Sequence, residues 1–167
     1  LSFTAEEIWQ AIPGQRIESV FLTQWYEAWP LIETVDKTEW HLVQQVRDEV
    51  NKALELKRQE GIVGSGLGAE VILYVDAPYH SALTRLKDEL RFVLITSAAQ
   101  VQPWPECPKE DGLYISENFQ LAVQVKASDY EKCARCWHRR PEVGSSTTHP
   151  ELCKRCEDNI GDNPEIR

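Results

Sequence analysis

Four of the five cysteines fall into two C-x2-C pairs, Cys133-Ala-Arg-Cys136 and Cys153-Lys-Arg-Cys156, with sixteen residues between the pairs. Each pair can present two thiolates from one tight turn, and two such turns can close a tetrahedral four-thiolate shell. A shell filled by protein sulfur leaves no position for water, so the spacing points to a structural metal rather than a catalytic one. Zinc fits this pattern best; an iron–sulfur centre or a pair of disulfides are the alternatives. His138 and His149 lie close enough in sequence to compete as ligands, but two complete pairs make that substitution unnecessary. Trp137, directly after Cys136, is expected to cover the thiolates; the other possibility is a stacking platform on the solvent side. Cys107 lies between Pro105 and Pro108 in a polar turn with no histidine nearby and reads as a bystander.

The odd cysteine count, the lack of a signal peptide and the lack of a run of about 18 apolar residues together imply a reduced, soluble, cytoplasmic protein with no membrane span. Net charge is −9, which argues against a free-standing nucleic-acid binder. The charge is uneven, however. Residues 1–130 carry 11 Lys/Arg against 20 Asp/Glu, whereas residues 131–167 carry seven of each. Lys132, Arg135, Arg139, Arg140, Lys154 and Arg155 all cluster around the cysteines, as in a module that meets RNA with one face. Solvated loop charge is the plainer reading of the same residues.

The elements that must position these residues follow from capping and periodicity. Thr4-Ala-Glu-Glu7 fits a capping box opening a helix through Ile8, Trp9 and Ile12 that stops at Pro13-Gly14. Residues 15–35, with Phe21, Trp25, Tyr26 and Trp29, lack a clean period and read as a connection pinned to a core by its aromatics. Asp36-Lys-Thr-Glu39 caps the strongest helix, where Trp40, Val43, Val46, Val50, Ala53 and Leu54 form one stripe through about Glu60. Gln44, Arg47, Glu49, Lys52 and Glu55 are expected to face outward.

The turn Gly61-Ile-Val-Gly-Ser-Gly-Leu-Gly68 invites a phosphate-loop reading, but its order is wrong. A helix enters it and a strand leaves it, so a turn with close backbone approach is expected. Strands are expected at Glu70–Val75, Phe92–Ile95, Leu113–Ile115 and Leu121–Val125, with a helix carrying Leu83, Leu86 and Leu90 between the first two. Ile72, Leu86, Phe92 and Leu94 are the expected core. The fold class is α+β: an N-terminal helical segment, 1–60, of helix-bundle type; a small mixed sheet packed with helices, 61–127; and a C-terminal zinc-ribbon or knuckle module, 128–167. No Ser/His/Asp set or open metal site can be assembled, and the adjacent carboxylates Glu6-Glu7, Asp48-Glu49 and Asp88-Glu89 read as helix surface charge.

Several stretches together resemble the C-terminal part of bacterial-type isoleucyl-tRNA synthetases. They are Leu1-Ser-Phe-Thr-Ala-Glu-Glu-Ile-Trp9, Val46-Arg-Asp-Glu-Val-Asn-Lys-Ala-Leu54, Asp88-Glu-Leu-Arg-Phe-Val-Leu-Ile95, Lys132-Cys-Ala-Arg-Cys-Trp-His138 and Leu152-Cys-Lys-Arg-Cys156. The zinc segment also resembles the finger that ends formamidopyrimidine-DNA glycosylases. The synthetase resemblance implies that residues to about Glu60 end a helical anticodon-stem-binding domain, and that the remainder helps to hold isoleucine tRNA. It carries over Cys133, Cys136, Cys153 and Cys156 as ligands of one structural Zn2+; Arg135, Trp137, Arg139 and Arg140 are candidate RNA-facing residues from their place around the cysteines, not from the resemblance. It also implies a monomeric parent whose upstream domains use ATP and Mg2+. HIGH-type and KMSKS-type motifs are absent from this sequence, so by resemblance it is a non-catalytic segment of a ligase. One departure is that Gly66 and Gly68 stand where the family usually has Ser and Glu.

Overall fold

The computed structural model describes residues 1–28, 36–109 and 111–161. The chain divides into two units, Leu1–Val35 and Asp36–Arg167. In the first, helix α1 spans Ser2–Ala11. It begins earlier than the capping pattern predicts: Thr4 lies inside the helix, and Leu1 at the N-cap makes no side-chain capping bond. Glu6 instead accepts hydrogen bonds from Ser19 Oγ at 2.8 Å and Val20 N at 3.0 Å, tying the short turn Val20–Leu22 back to the helix. The expected burial of the aromatics is not seen. Phe21 and Tyr26 are exposed and Trp25 is 95% exposed; Trp29 lies outside the described residues.

The second unit opens with helix α2, Lys37–Gln59, whose start follows the sequence closely. The Asp36 carboxylate accepts from Thr38 N at 2.8 Å and Glu39 N at 3.3 Å. Glu39 does not close the reciprocal half of a capping box; it pairs with Arg85 at 2.6 Å. Strands β1 (Ala69–Val75), β2 (Ala98–Pro103), β3 (Tyr114–Ile115) and β4 (Leu121–Ala127) form a mixed sheet in the order β2-β1-β4-β3. β1 runs parallel to β2 and antiparallel to β4, and β3 is antiparallel to β4. Helices α3 (Ala77–Thr84) and α4 (Leu90–Leu94) make the crossover that a parallel β1–β2 pair requires.

Alternation along β1 decides which residues form the core. Val71, Leu73 and Val75 lie beside Val125, Val123 and Leu121 and point to one face, where they pack with Val43, Val46, Val50 and Ala53 of α2. α2 therefore belongs with the sheet in packing terms.

Ile72, expected in the core, points to the other face, between Gln100 and Gln124, and is only half-buried. The Phe92–Ile95 strand is also overturned, because these residues complete and cap α4. In a strand Phe92 and Leu94 would share a face. In a helix it is Leu90 and Leu94, four apart, that align, and both are buried while Phe92 turns away from the core. A four-residue apolar run cannot by itself separate these readings. The expected single helix through Leu83, Leu86 and Leu90 is broken by Lys87 at φ 49°, though Leu83 and Leu90 are buried and Leu86 packs at the margin.

Glu49 also departs from the expected outward face of α2. It is 3% exposed instead of facing solvent. The β3–β4 connection folds over it, so that Tyr114 Oη donates to it at 2.7 Å and Asn118 Nδ2 at 2.9 Å, with Lys52 Nζ at 2.6 Å.

The glycine turn behaves as its order implies, with α2 entering and β1 leaving. A Cβ on Gly66 would sit 2.7 Å from the Ile95 carbonyl oxygen, whereas one on Gly68 would meet nothing closer than Ser65 Oγ at 3.7 Å. Gly66→Ala is expected to lower the unfolding free energy by about 1 to 3 kcal/mol in urea titrations. Gly68→Ala should be neutral or slightly stabilising. Equal effects at the two positions would show that the contact with Ile95 does not constrain the turn.

Candidate metal centre

The first cysteine pair sits in a knuckle closed by two backbone hydrogen bonds, Cys133 N to His138 O at 2.9 Å and Trp137 N to Cys133 O at 3.0 Å. Lys132 and Arg139 form a bridge across its base. The second pair starts helix α5, Lys154–Ile160, with Cys153 at the N-cap and Cys156 in the first turn. Ala134 N donates to Glu151 O at 2.9 Å, which brings the two turns together.

The four sulfurs lie within 4.8 Å of one another, and the Cys136–Cys153 separation is 3.7 Å. Sulfurs at the corners of a tetrahedral zinc shell, with bonds of about 2.3 Å, stand about 3.8 Å apart. All four cysteines are free thiols, and the sulfur set therefore fits a metal. Backbone donors support it: Cys153 N lies 3.3 Å from Cys133 Sγ. Burial opposes ionisation of Cys133, but N–H groups of Cys136, Cys153 and Arg135 outweigh it and bring its pKa down to about 6. Burial pushes the Cys136 and Cys153 thiols up, so a bound cation would be needed to ionise them.

Neither histidine joins the cluster of possible ligands. His138 is buried with its ring edge-on to Phe92, centroids 5.2 Å apart. Burial, followed by the charges of Arg91, Arg140 and Arg155, lowers its pKa, so it is neutral at neutral pH. Phe92, absent from the sheet's core, thus joins α4 to the knuckle. The sequence carried no signal for this role, since it depends on α4 being a helix. Cys107 lies apart from the cluster, half-buried, and burial raises its pKa.

Trp137 does not cover the thiolates. It is 58% exposed, and Leu152 and Val143 pack against the cysteines instead. Lys132 Nζ stands 4.2 Å from the indole centroid. The other candidate RNA-facing residues diverge. Arg135 is exposed and places Nη1 3.7 Å from Cys156 Sγ. Arg139 donates from Nη1 to Tyr130 O at 2.8 Å. Arg140 is turned inward, with Ser97 O at 3.4 Å, Glu142 at 3.2 Å and Asp88 at 3.8 Å, and it ties the knuckle to the sheet.

Residues 131–159 match the family described as a zinc finger found in FPG and IleRS, which defines the class of the module. The full chain is then homologous to part of the bacterial isoleucine–tRNA ligases. It is 54% identical over 167 residues to the isoleucine–tRNA ligase of Legionella pneumophila (strain Paris), 49% over 170 to that of Alcanivorax borkumensis and 48% over 169 to that of Coxiella burnetii (strain Dugway 5J108-111). Each match takes in 100% of this chain and 18% of the relative. The chain therefore spans less than a fifth of the length of these aminoacyl-tRNA synthetases. No helix among the described residues is long and apolar enough to cross a membrane.

Proposed function

We propose that this chain is the zinc-stabilised, tRNA-holding end of an isoleucine–tRNA ligase, and that Cys133, Cys136, Cys153 and Cys156 bind one structural zinc. The observation that carries this is the four-sulfur cluster within a finger matched to the FPG and IleRS family, on a chain homologous throughout to these ligases. In this reading residues 1–60 end a helical anticodon-stem-binding domain, 61–127 join it to the finger, and 128–167 form the zinc module, with α2 shared between the first two. Lys132, Arg135, Trp137 and Arg139 offer phosphate and stacking contacts, while Arg140 acts mainly in docking the module. The chain positions isoleucine tRNA for ATP- and Mg2+-dependent attachment of isoleucine in a catalytic domain elsewhere in a monomeric, cytoplasmic parent.

Native mass spectrometry with metal analysis, followed by tRNA titration before and after chelation, tests this reading. One zinc per chain and selective binding of isoleucine tRNA that disappears on chelation are expected. Zinc without RNA affinity would instead favour a free-standing zinc-ribbon module that binds protein. Nucleic-acid binding without tRNA selectivity would favour such a module acting on nucleic acid generally.

A further inference from the structure

The cations that surround the cysteines differ in their partners. Lys132 lies over the Trp137 ring and Arg155 over that of Phe92. Arg139 donates to Tyr130 O, while Arg140 and Lys154 pair with Glu142 and Asp158. Arg135 turns instead to sulfur, with Nη1 3.7 Å from Cys156 Sγ. The charges that act on its guanidinium are those of Cys156, Cys136 and Cys133. Among the described residues it pairs with no carboxylate, although the chain carries 27 Asp and Glu.

The sulfurs also differ in what supports them. Backbone N–H groups serve three: Cys153 N reaches Cys133 Sγ at 3.3 Å, His138 N serves Cys136, and Cys156 N serves Cys153. Such amides come with the paired turns themselves. Cys156, fully buried in the first turn of α5, receives its donor from across the centre, from a side chain of the other turn. The bond from Ala134 N to Glu151 O, at 2.9 Å, holds the two turns close enough for Arg135 to make that crossing. A zinc ion with four thiolates carries a formal surplus of about two negative charges. A charged donor at the edge of that surplus is a stronger partner for sulfur than a neutral amide.

We propose that Arg135 is a positioning residue of the metal centre, whose guanidinium holds the Cys156 sulfur in place as a metal-bound thiolate. Charge and hydrogen bond together do at Cys156 what backbone amides do at the other three sulfurs. Outer-shell donors of this kind fix the geometry of a ligand and set how firmly the metal is held. The proposal rests on the zinc reading above and adds a fifth residue to the four cysteines. It gives Arg135 a part in holding the metal that is separate from any phosphate contact, and its test needs no RNA.

The test uses the whole reduced chain, titrated with zinc against a chromophoric chelator and, separately, saturated with cobalt(II). Arg135→Met keeps a long side chain beside Cys156 but removes the charge and the donor, whereas Arg135→Lys keeps both. Arg135 is exposed, so neither change should disturb the sheet. Zinc affinity should fall about ten- to a hundredfold in Arg135→Met, the range of outer-shell losses at metal sites. It should recover most of the way in Arg135→Lys. At saturating cobalt, the sulfur-to-metal charge-transfer band should move to longer wavelength in Arg135→Met, because a thiolate without its donor gives up an electron more readily. A side chain that merely covered the sulfur would leave that band where it is. Wild-type zinc affinity in Arg135→Met, an unchanged cobalt band at saturation, or an Arg135→Lys variant no better than Arg135→Met would each overturn the proposal and leave zinc binding by the four cysteines intact. A wild-type chain that binds no zinc would overturn both readings.

Discussion

Removing the metal from the reduced chain should unfold residues 131–160 while the sheet of residues 69–127 stays folded. The buried apolar cluster of the finger consists of Leu152 and the buried cysteines themselves, with Cys136 and Val143 partly covered. So small a core cannot offset the conformational entropy of some 30 ordered residues, which cost about 1 to 2 kcal/mol each in backbone terms alone. Structural zinc sites supply about 10 to 16 kcal/mol of apparent binding energy, enough to carry a module of this size. The sheet has its own core in the apolar face of α2 against Val71, Leu73 and Val123. Hydrogen exchange before and after chelation should therefore show protection lost at Cys133, Trp137 and Gly144 and retained at Leu73 and Val123. Cys133→Ser should reproduce the effect and abolish stoichiometric zinc. Intact protection of the finger after verified metal removal would mean that the sulfurs do not fold it.

The second large effect is expected at Glu49. Its carboxylate is buried, and burial alone would raise its pKa. Donors from Lys52, Tyr114, Ser116 and Asn118 prevail and lower it from the usual 4.5 to about 2. The same network holds the Tyr114 hydroxyl proton, so burial and the neighbouring carboxylate push that pKa up to about 12. The folded state thus prefers ionised Glu49. The stabilisation is complete above the unfolded value near 4.5 and is lost as pH falls toward 2. Glu49→Gln should cost roughly 3 kcal/mol at neutral pH, since a shift of this size corresponds to that order of free energy. It should also flatten the acid dependence of the sheet's unfolding between those two pH values. Measurements with chelator present in both proteins keep metal release out of the comparison. A wild-type acid slope in Glu49→Gln would place the titration at another carboxylate.

Glu49 also marks a limit of what sequence can show. Helical periodicity assigns α2 one apolar stripe and turns Glu49 outward with Gln44 and Arg47, whereas the structure buries it. Burial comes from the β3–β4 connection, more than sixty positions away, and no local pattern encodes that contact. The same distinction runs through the rest of the fold. Asp36 capping, the α2 stripe, β1 and β4 rest on residue types within a few positions and are legible. β2 is not, because Ala98-Ala-Gln-Val-Gln-Pro103 has little β-branched character and becomes a strand by lying along β1. The cysteine spacing is legible because paired turns impose it. The inward direction of Arg140 and the exposure of Trp137 depend on Ser97, Asp88 and the glycine turn, which spacing within the finger cannot reveal.

The strand order carries a consequence for how the chain is made. β1 is central, yet its antiparallel neighbour β4 ends at Ala127, and the pairing Ala69–Ala127 closes across 58 positions, from 69 to 127. Long-range pairings of this kind form late, because chain closure precedes any gain from contact. During synthesis the sheet therefore stays open until β4 has left the ribosome, and the first cysteine pair is then only a few residues behind. Metal capture comes later, because the four-sulfur shell is complete only when Cys153 and Cys156 have followed, the last of them 29 positions (127 to 156) behind the end of β4. Until β4 arrives, β1 presents an unpaired, strongly apolar edge on that side, so the nascent chain's escape from aggregation waits on β4 and not on the metal.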